Sequence, residues 1–82
     1  MFNNVHIIAV VPTSDDIIEW DVRIVSNGKF VGVIEKFRGP GGIEELAGYW
    51  FTDTFGRQSD EFNTLREARD YAERSINPVT VN

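Results

Sequence analysis

One histidine and no cysteine in 82 residues leave little from which to build a reactive centre. His6 lies inside an apolar run, with neither a second histidine nor a thiol to complete a metal site or to activate a nucleophile, so it reads as a strand residue with a hydrogen-bonded ring. Two groups of carboxylates, Asp15, Asp16, Glu19 and Asp21 in one half and Asp53, Asp60 and Glu61 in the other, supply oxygen ligands in principle. Neither has the alternating ligand spacing and internal glycine of an EF-hand loop, and turn capping and solvation account for them. Gly39-Pro40-Gly41-Gly42 lacks the Lys-Ser/Thr ending and the following long helix of a phosphate-binding loop, so it reads as a flexible connection. The expectation is a chain without catalytic residues, metal or cofactor, one that works by binding.

The residues that carry binding are aromatic and acidic. Trp20, Phe30, Tyr49, Trp50, Phe51 and Phe55 are many large rings for so short a chain. Tyr49 and Trp50 point to opposite faces of one strand, so at least one of them is a candidate anchor for a partner. Thirteen acidic against eight basic side chains give a net charge of −5, which repels phosphate backbones and favours basic or neutral partners. The leading expectation is a protein-interaction module contacting its partner through Asp15, Asp16, Glu19, Asp21, Phe30, Glu44, Glu45, Tyr49 and Trp50. One version has the acids mimic nucleic acid in a basic groove. Two alternatives come from other classes. DNA binding would use Arg23, Lys36, Arg38 and Arg57 on a sheet face, and self-association as a homodimer would use an apolar strip of Val25, Phe30 and Ile34.

These side chains need elements to position them. At this length there is room for one hydrophobic core, so residues 1–82 read as a single α+β domain. It has no disulfide to staple it, which fits a cytoplasmic setting. The apolar run from Val5 to Val11 is too short to cross a bilayer, and no membrane role is indicated. It forms a first strand, apolar on both faces and therefore expected to be covered on both sides, by this chain or by a second subunit. Asn27-Gly28 between alternating runs predicts a hairpin with a two-residue turn. Setting Ser26 against Lys29 pairs Ile24 with Val31, Val22 with Val33, Trp20 with Glu35 and Ile18 with Phe37 on one face. The other face then pairs Glu19 with Lys36, Asp21 with Ile34, Arg23 with Gly32 and Val25 with Phe30. Tyr49–Thr52 predicts a fourth strand, with a short fifth within 58–62. Thr64 and Glu67 have capping-box spacing, and Leu65, Ala68, Ala72 and Ile76 form a helical stripe that Asn77-Pro78 ends. The fold class predicted is an antiparallel meander of about four strands with one C-terminal helix on one face.

Trp-x-Val-x-Ile in one strand, Asn-Gly-Lys, Val-Gly-Val-Ile in the next, an aromatic strand and Phe-Asn-Thr-Leu-Arg-Glu-Ala-Arg before a helix span residues 17–76. In that order they resemble the three-strand-plus-helix unit of AP2-like and integrase arm-type DNA-binding domains, and small phage and mobile-element proteins. The resemblance implies a DNA-contacting outer sheet face bearing arginines and aromatics, where Arg23 and Lys36 lie among Glu19 and Asp21. Combined with the acidic charge, it suggests an accessory or inhibitory protein of a phage or mobile element that binds a host protein or nucleoprotein.

Overall fold

The computed structural model describes residues 5–13, 18–37, 41 and 48–77. Four strands, β1 (Ile8–Pro12), β2 (Glu19–Ile24), β3 (Phe30–Phe37) and β4 (Gly48–Asp53), form one antiparallel sheet in chain order, and helix α1 (Leu65–Ile76) packs on one face against β3 and β4. The α+β meander read from the sequence is the architecture observed. Residues 58–62 do not form a fifth strand; they meet β4 through isolated bridges between Gln58 and Thr52 and between Phe62 and Tyr49, and through Ser59, whose N–H donates to the Phe51 carbonyl and whose hydroxyl accepts from the Phe51 N–H.

The helix begins and ends where its local chemistry requires. Thr64 caps it, its Oγ1 accepting from the Glu67 N–H at 3.1 Å, with the Glu67 carboxylate answering at 3.3 Å. At the other end the Asn77 N–H donates to the Glu73 carbonyl. Ala68 and Ala72 are fully buried, and their small side chains let α1 lie close over the sheet. Arg69 pairs with Glu73 at 3.7 Å on the solvated face.

The β2–β3 hairpin departs from the expected register. Its loop is four residues, Val25–Gly28, not two. The Ile24 N–H donates to the Lys29 carbonyl at 2.9 Å, the Ile24 carbonyl accepts from the Gly28 N–H at 2.7 Å, and Asn27 Oδ1 accepts from the Lys29 N–H at 2.9 Å. Gly28 takes the left-handed conformation, φ 71°, that closes such a loop. Arg23 therefore faces Phe30. A bulge then sets Val31 and Gly32 against the single Val22, and beyond it Trp20 faces Ile34, Asp21 faces Val33 and Glu19 faces Glu35. The expected pairs of Trp20 with Glu35 and Glu19 with Lys36 do not form. The physical reason is burial, because the observed register puts an aliphatic side chain, in place of a carboxylate, beside Trp20.

One core results. Ile8, Trp20, Val22, Ile34, Phe51, Ala68 and Ala72 form a buried cluster, with Val10, Val31, Tyr49, Phe62, Leu65 and Ile76 packed against it. Ile34 and Val22 are wholly inaccessible, and burying each contributes on the order of 1.5–3 kcal/mol. Ile34 thus belongs to the core, so the strip of Val25, Phe30 and Ile34 proposed for self-association does not exist as a surface. β1 is an edge strand whose Val11 is exposed, and no described element covers its outer side.

At Gly32, strands β3 and β4 pack too closely to admit a side chain. A Cβ there would fall on the Thr52 carbonyl oxygen and 2.6 Å from Cε1 of Phe51, whereas a Cβ on Gly28 would meet nothing. Gly32→Ala is therefore expected to destabilise by the 1–3 kcal/mol or so typical of overpacking, and Gly28→Ala by only about 1 kcal/mol, from its positive φ. Urea midpoints of the two variants measure the difference; equal losses would contradict the close-packing account.

Candidate interaction surface

Strand alternation and the bulge decide what the uncovered side of the sheet presents. With Trp20, Val22, Ile24 and Ile34 buried on the opposite face, the outer face receives Ala9 and Val11 from β1, Glu19, Asp21 and Arg23 from β2, Phe30, Val33, Glu35 and Phe37 from β3, and Trp50 and Thr52 from β4. Phe30 reaches this face because the bulge turns Val31 inward. Of the two rings in question, Tyr49 packs inward beside Trp20, centroids 6.0 Å apart, and Trp50 faces outward.

Two features stand side by side on that face. Phe37 and Trp50 meet edge to face, centroids 4.5 Å apart and planes at 88°, with Phe37 58% exposed. Next to them Glu35 lies directly across from both Trp50 and Glu19. The Lys36 N–H donates to the Ile18 carbonyl at 2.8 Å, so the neighbouring Glu19–Glu35 pair is of the non-hydrogen-bonded kind, with Cα atoms about 4.5 Å apart, where like charges repel most. Among the described residues of this face Arg23 is the only cation, and it is engaged toward the hairpin end. It pairs with Asp21 at 3.7 Å, donates to the Gly28 carbonyl at 3.1 Å and lies over the Phe30 ring at 5.4 Å.

The expected contact set is thus partly assembled. Glu19, Asp21, Phe30 and Trp50 share the outer face, Tyr49 does not, and Asp15, Asp16, Glu44 and Glu45 lie outside the described residues. Glu35 and Phe37 belong to the face and were missed by the sequence reading, which put both on the buried side; a hairpin register shorter by one residue would have found them. Among the described residues, the cations proposed for DNA contact do not converge. Arg23 is on the outer face, Lys36 sits across from the inward Tyr49, Arg57 belongs to a turn beyond β4, and Arg38 lies outside the described residues.

That turn borders a cleft of about 420 Å³, between residues 53–58 and the second half of α1, with Val31, Phe51, Tyr71 and Ile76 in its walls. Asp53 organises it. Its Oδ1 accepts from the Phe55 and Arg57 N–H groups and its Oδ2 from Arg57 Nε, each at 2.9 Å, while the Arg57 guanidinium lies 5.2 Å from the centre of the exposed Phe55 ring. With its carboxylate committed to this turn, Asp53 does not join Asp60 and Glu61. No three histidine or carboxylate groups gather as a metal site among the described residues. His6 is held by its backbone, and no described helix is long and apolar enough to cross a membrane.

The Arg57 N–H, together with the Phe55 N–H and the Arg57 guanidinium, holds the Asp53 carboxyl below the ordinary carboxylate value against the opposing effect of desolvation. A depressed folded-state value means that this contribution is complete above the unfolded value and is lost as pH falls through the lower, folded one. The Phe55 and Arg57 amide resonances should report that loss at a pH below the usual Asp range, and Asp53→Asn should abolish it. A titration at the ordinary value would contradict the assignment. The chain matches no protein-family model, no curated protein and no solved structure.

Proposed function

We propose that the chain is a non-catalytic protein-interaction module whose outer sheet face binds a basic protein surface. The observation that carries this reading is the Glu19–Glu35 pair standing beside the pair of exposed Phe37 and half-buried Trp50. Two carboxylates held across adjacent strands repel each other, and a guanidinium or ammonium placed between them converts that repulsion into two attractions. The adjoining rings supply apolar contact area and a π face for the same cation. A net charge of −5 steers cationic partners toward the chain from a distance.

The kind of partner follows from this chemistry. A surface that normally holds nucleic acid, on a host protein or a nucleoprotein, offers arginine and lysine at high density and accepts an acidic and aromatic face in its place. An accessory or inhibitory protein of a phage or mobile element is the setting that agrees with the sequence resemblance.

A pull-down from nuclease-treated lysate, followed by titration of the recovered protein, tests the reading. Trp50→Ala is expected to weaken binding by roughly 30-fold, about 2 kcal/mol, as for a central aromatic anchor. Glu35→Lys should act in the same direction. Phe55→Ala, on the distant turn, should leave affinity unchanged. Recovery of nucleic acid alone, or a partner that ignores both Trp50→Ala and Glu35→Lys, would overturn the proposal.

A further inference from the structure

Beyond the Glu19–Glu35 pair the outer face carries a further carboxylate. Phe62 bridges to Tyr49, which lays residue 61 alongside β4 next to Trp50. Gly48 stands directly opposite Phe37, so a side chain at position 48 would rise from the outer face. A Cβ built there would fall 2.6 Å from Glu61 Oε2, and the Glu61 side chain therefore fills the place that Gly48 leaves empty. Four neighbouring places on the face are thereby occupied as a cross. Phe37 and Trp50 meet along one diagonal, centroids 4.5 Å apart, while Glu35 and Glu61 hold the ends of the other, on opposite sides of the two rings. Glu35, Phe37 and Glu61 are all exposed. Among the described residues neither Glu35 nor Glu61 has an ion-pair partner.

We propose that Glu61 is a second cation contact of this face, and that the partner presents an extended segment whose two basic side chains, separated by one residue, straddle the Phe37–Trp50 pair. The inference rests on the basic-partner reading and adds a spacing to it. Because the touching rings stand between the two carboxylates, each carboxylate takes a cation of its own. Diagonal places on adjacent strands lie about 7–8 Å apart. Alternate side chains of an extended chain leave it on the same side about 7 Å apart, whereas adjacent ones leave it on opposite sides. Neighbours on a helix face stand closer, about 5–6 Å. The spacing thus selects an extended segment over a helix, and each of its cations meets a carboxylate together with the flank of an aromatic ring.

Titration with two short serine peptides, each carrying a pair of lysines, tests the spacing, with the Trp50 indole resonance as the readout. The peptide whose lysines are separated by one serine should bind about threefold tighter than the one whose lysines are adjacent. Glu35→Gln and Glu61→Gln should each weaken the first peptide by about threefold, and together by about tenfold, since two separate cations give effects that multiply. Asp60→Asn removes the same charge one residue away and should change affinity far less. Equal binding of the two peptides, a Glu61→Gln effect no larger than that of Asp60→Asn, or a double variant no weaker than either single one would overturn the inference. If Glu35→Gln weakens binding and Glu61→Gln does not, the second contact falls and the basic-partner reading stands. If neither Glu35→Gln nor Trp50→Ala matters, that reading falls as well.

Discussion

The bulge at Val31 and Gly32 is the constraint on which the arrangement of the molecule depends. Two residues stand against Val22, and both turn toward the helix; only because the second has no side chain can the Phe51 ring and the Thr52 carbonyl come in over it. This contact fixes the depth at which β4 lies beside β3. It also fixes the phase of β3 beyond the bulge, placing Ile34 in the core and Val33, Glu35 and Phe37 outside. A side-chain alternation set by one glycine thus decides both what holds the fold together and what the fold shows to a partner.

The parts of the fold legible in the sequence are those governed by neighbours along the chain. Thr64 and Glu67 announce the helix start because their interaction spans three residues, and Ala68, Ala72 and Ile76 reveal the buried stripe through simple periodicity. The four strands were equally visible as β-branched and aromatic runs. Register was not, and its two determinants explain why. The loop length depends on whether Ile24 closes onto Lys29, a choice Asn27-Gly28 leaves open, since the pair also serves a four-residue loop. The bulge depends on Phe51, almost 20 residues away in sequence, and no local pattern records it.

That error was carried into the candidate site. A reading that put Glu35 opposite Trp20 hid the carboxylate and Phe37 in the core, and it put Ile34 on the surface as part of a dimer strip. Correcting the register exchanges these roles and leaves a more coherent outer face, on which Glu19 and Asp21 keep the positions the sequence suggested. Tyr49 was separable from Trp50 only by knowing which face the helix covers. Its contact with Trp20 and its bridge to Phe62 place it inside.

The Glu19–Glu35 pair gives ionic strength two opposite effects. In the isolated chain, mobile counterions shield the carboxylates from each other across the two strands, so added salt should make the folded sheet more stable. In a complex with a cationic partner the same ions compete for the same charges and should loosen it. On the proposed function, the stability of the isolated chain and its hold on a basic partner would therefore respond to salt in contrary directions.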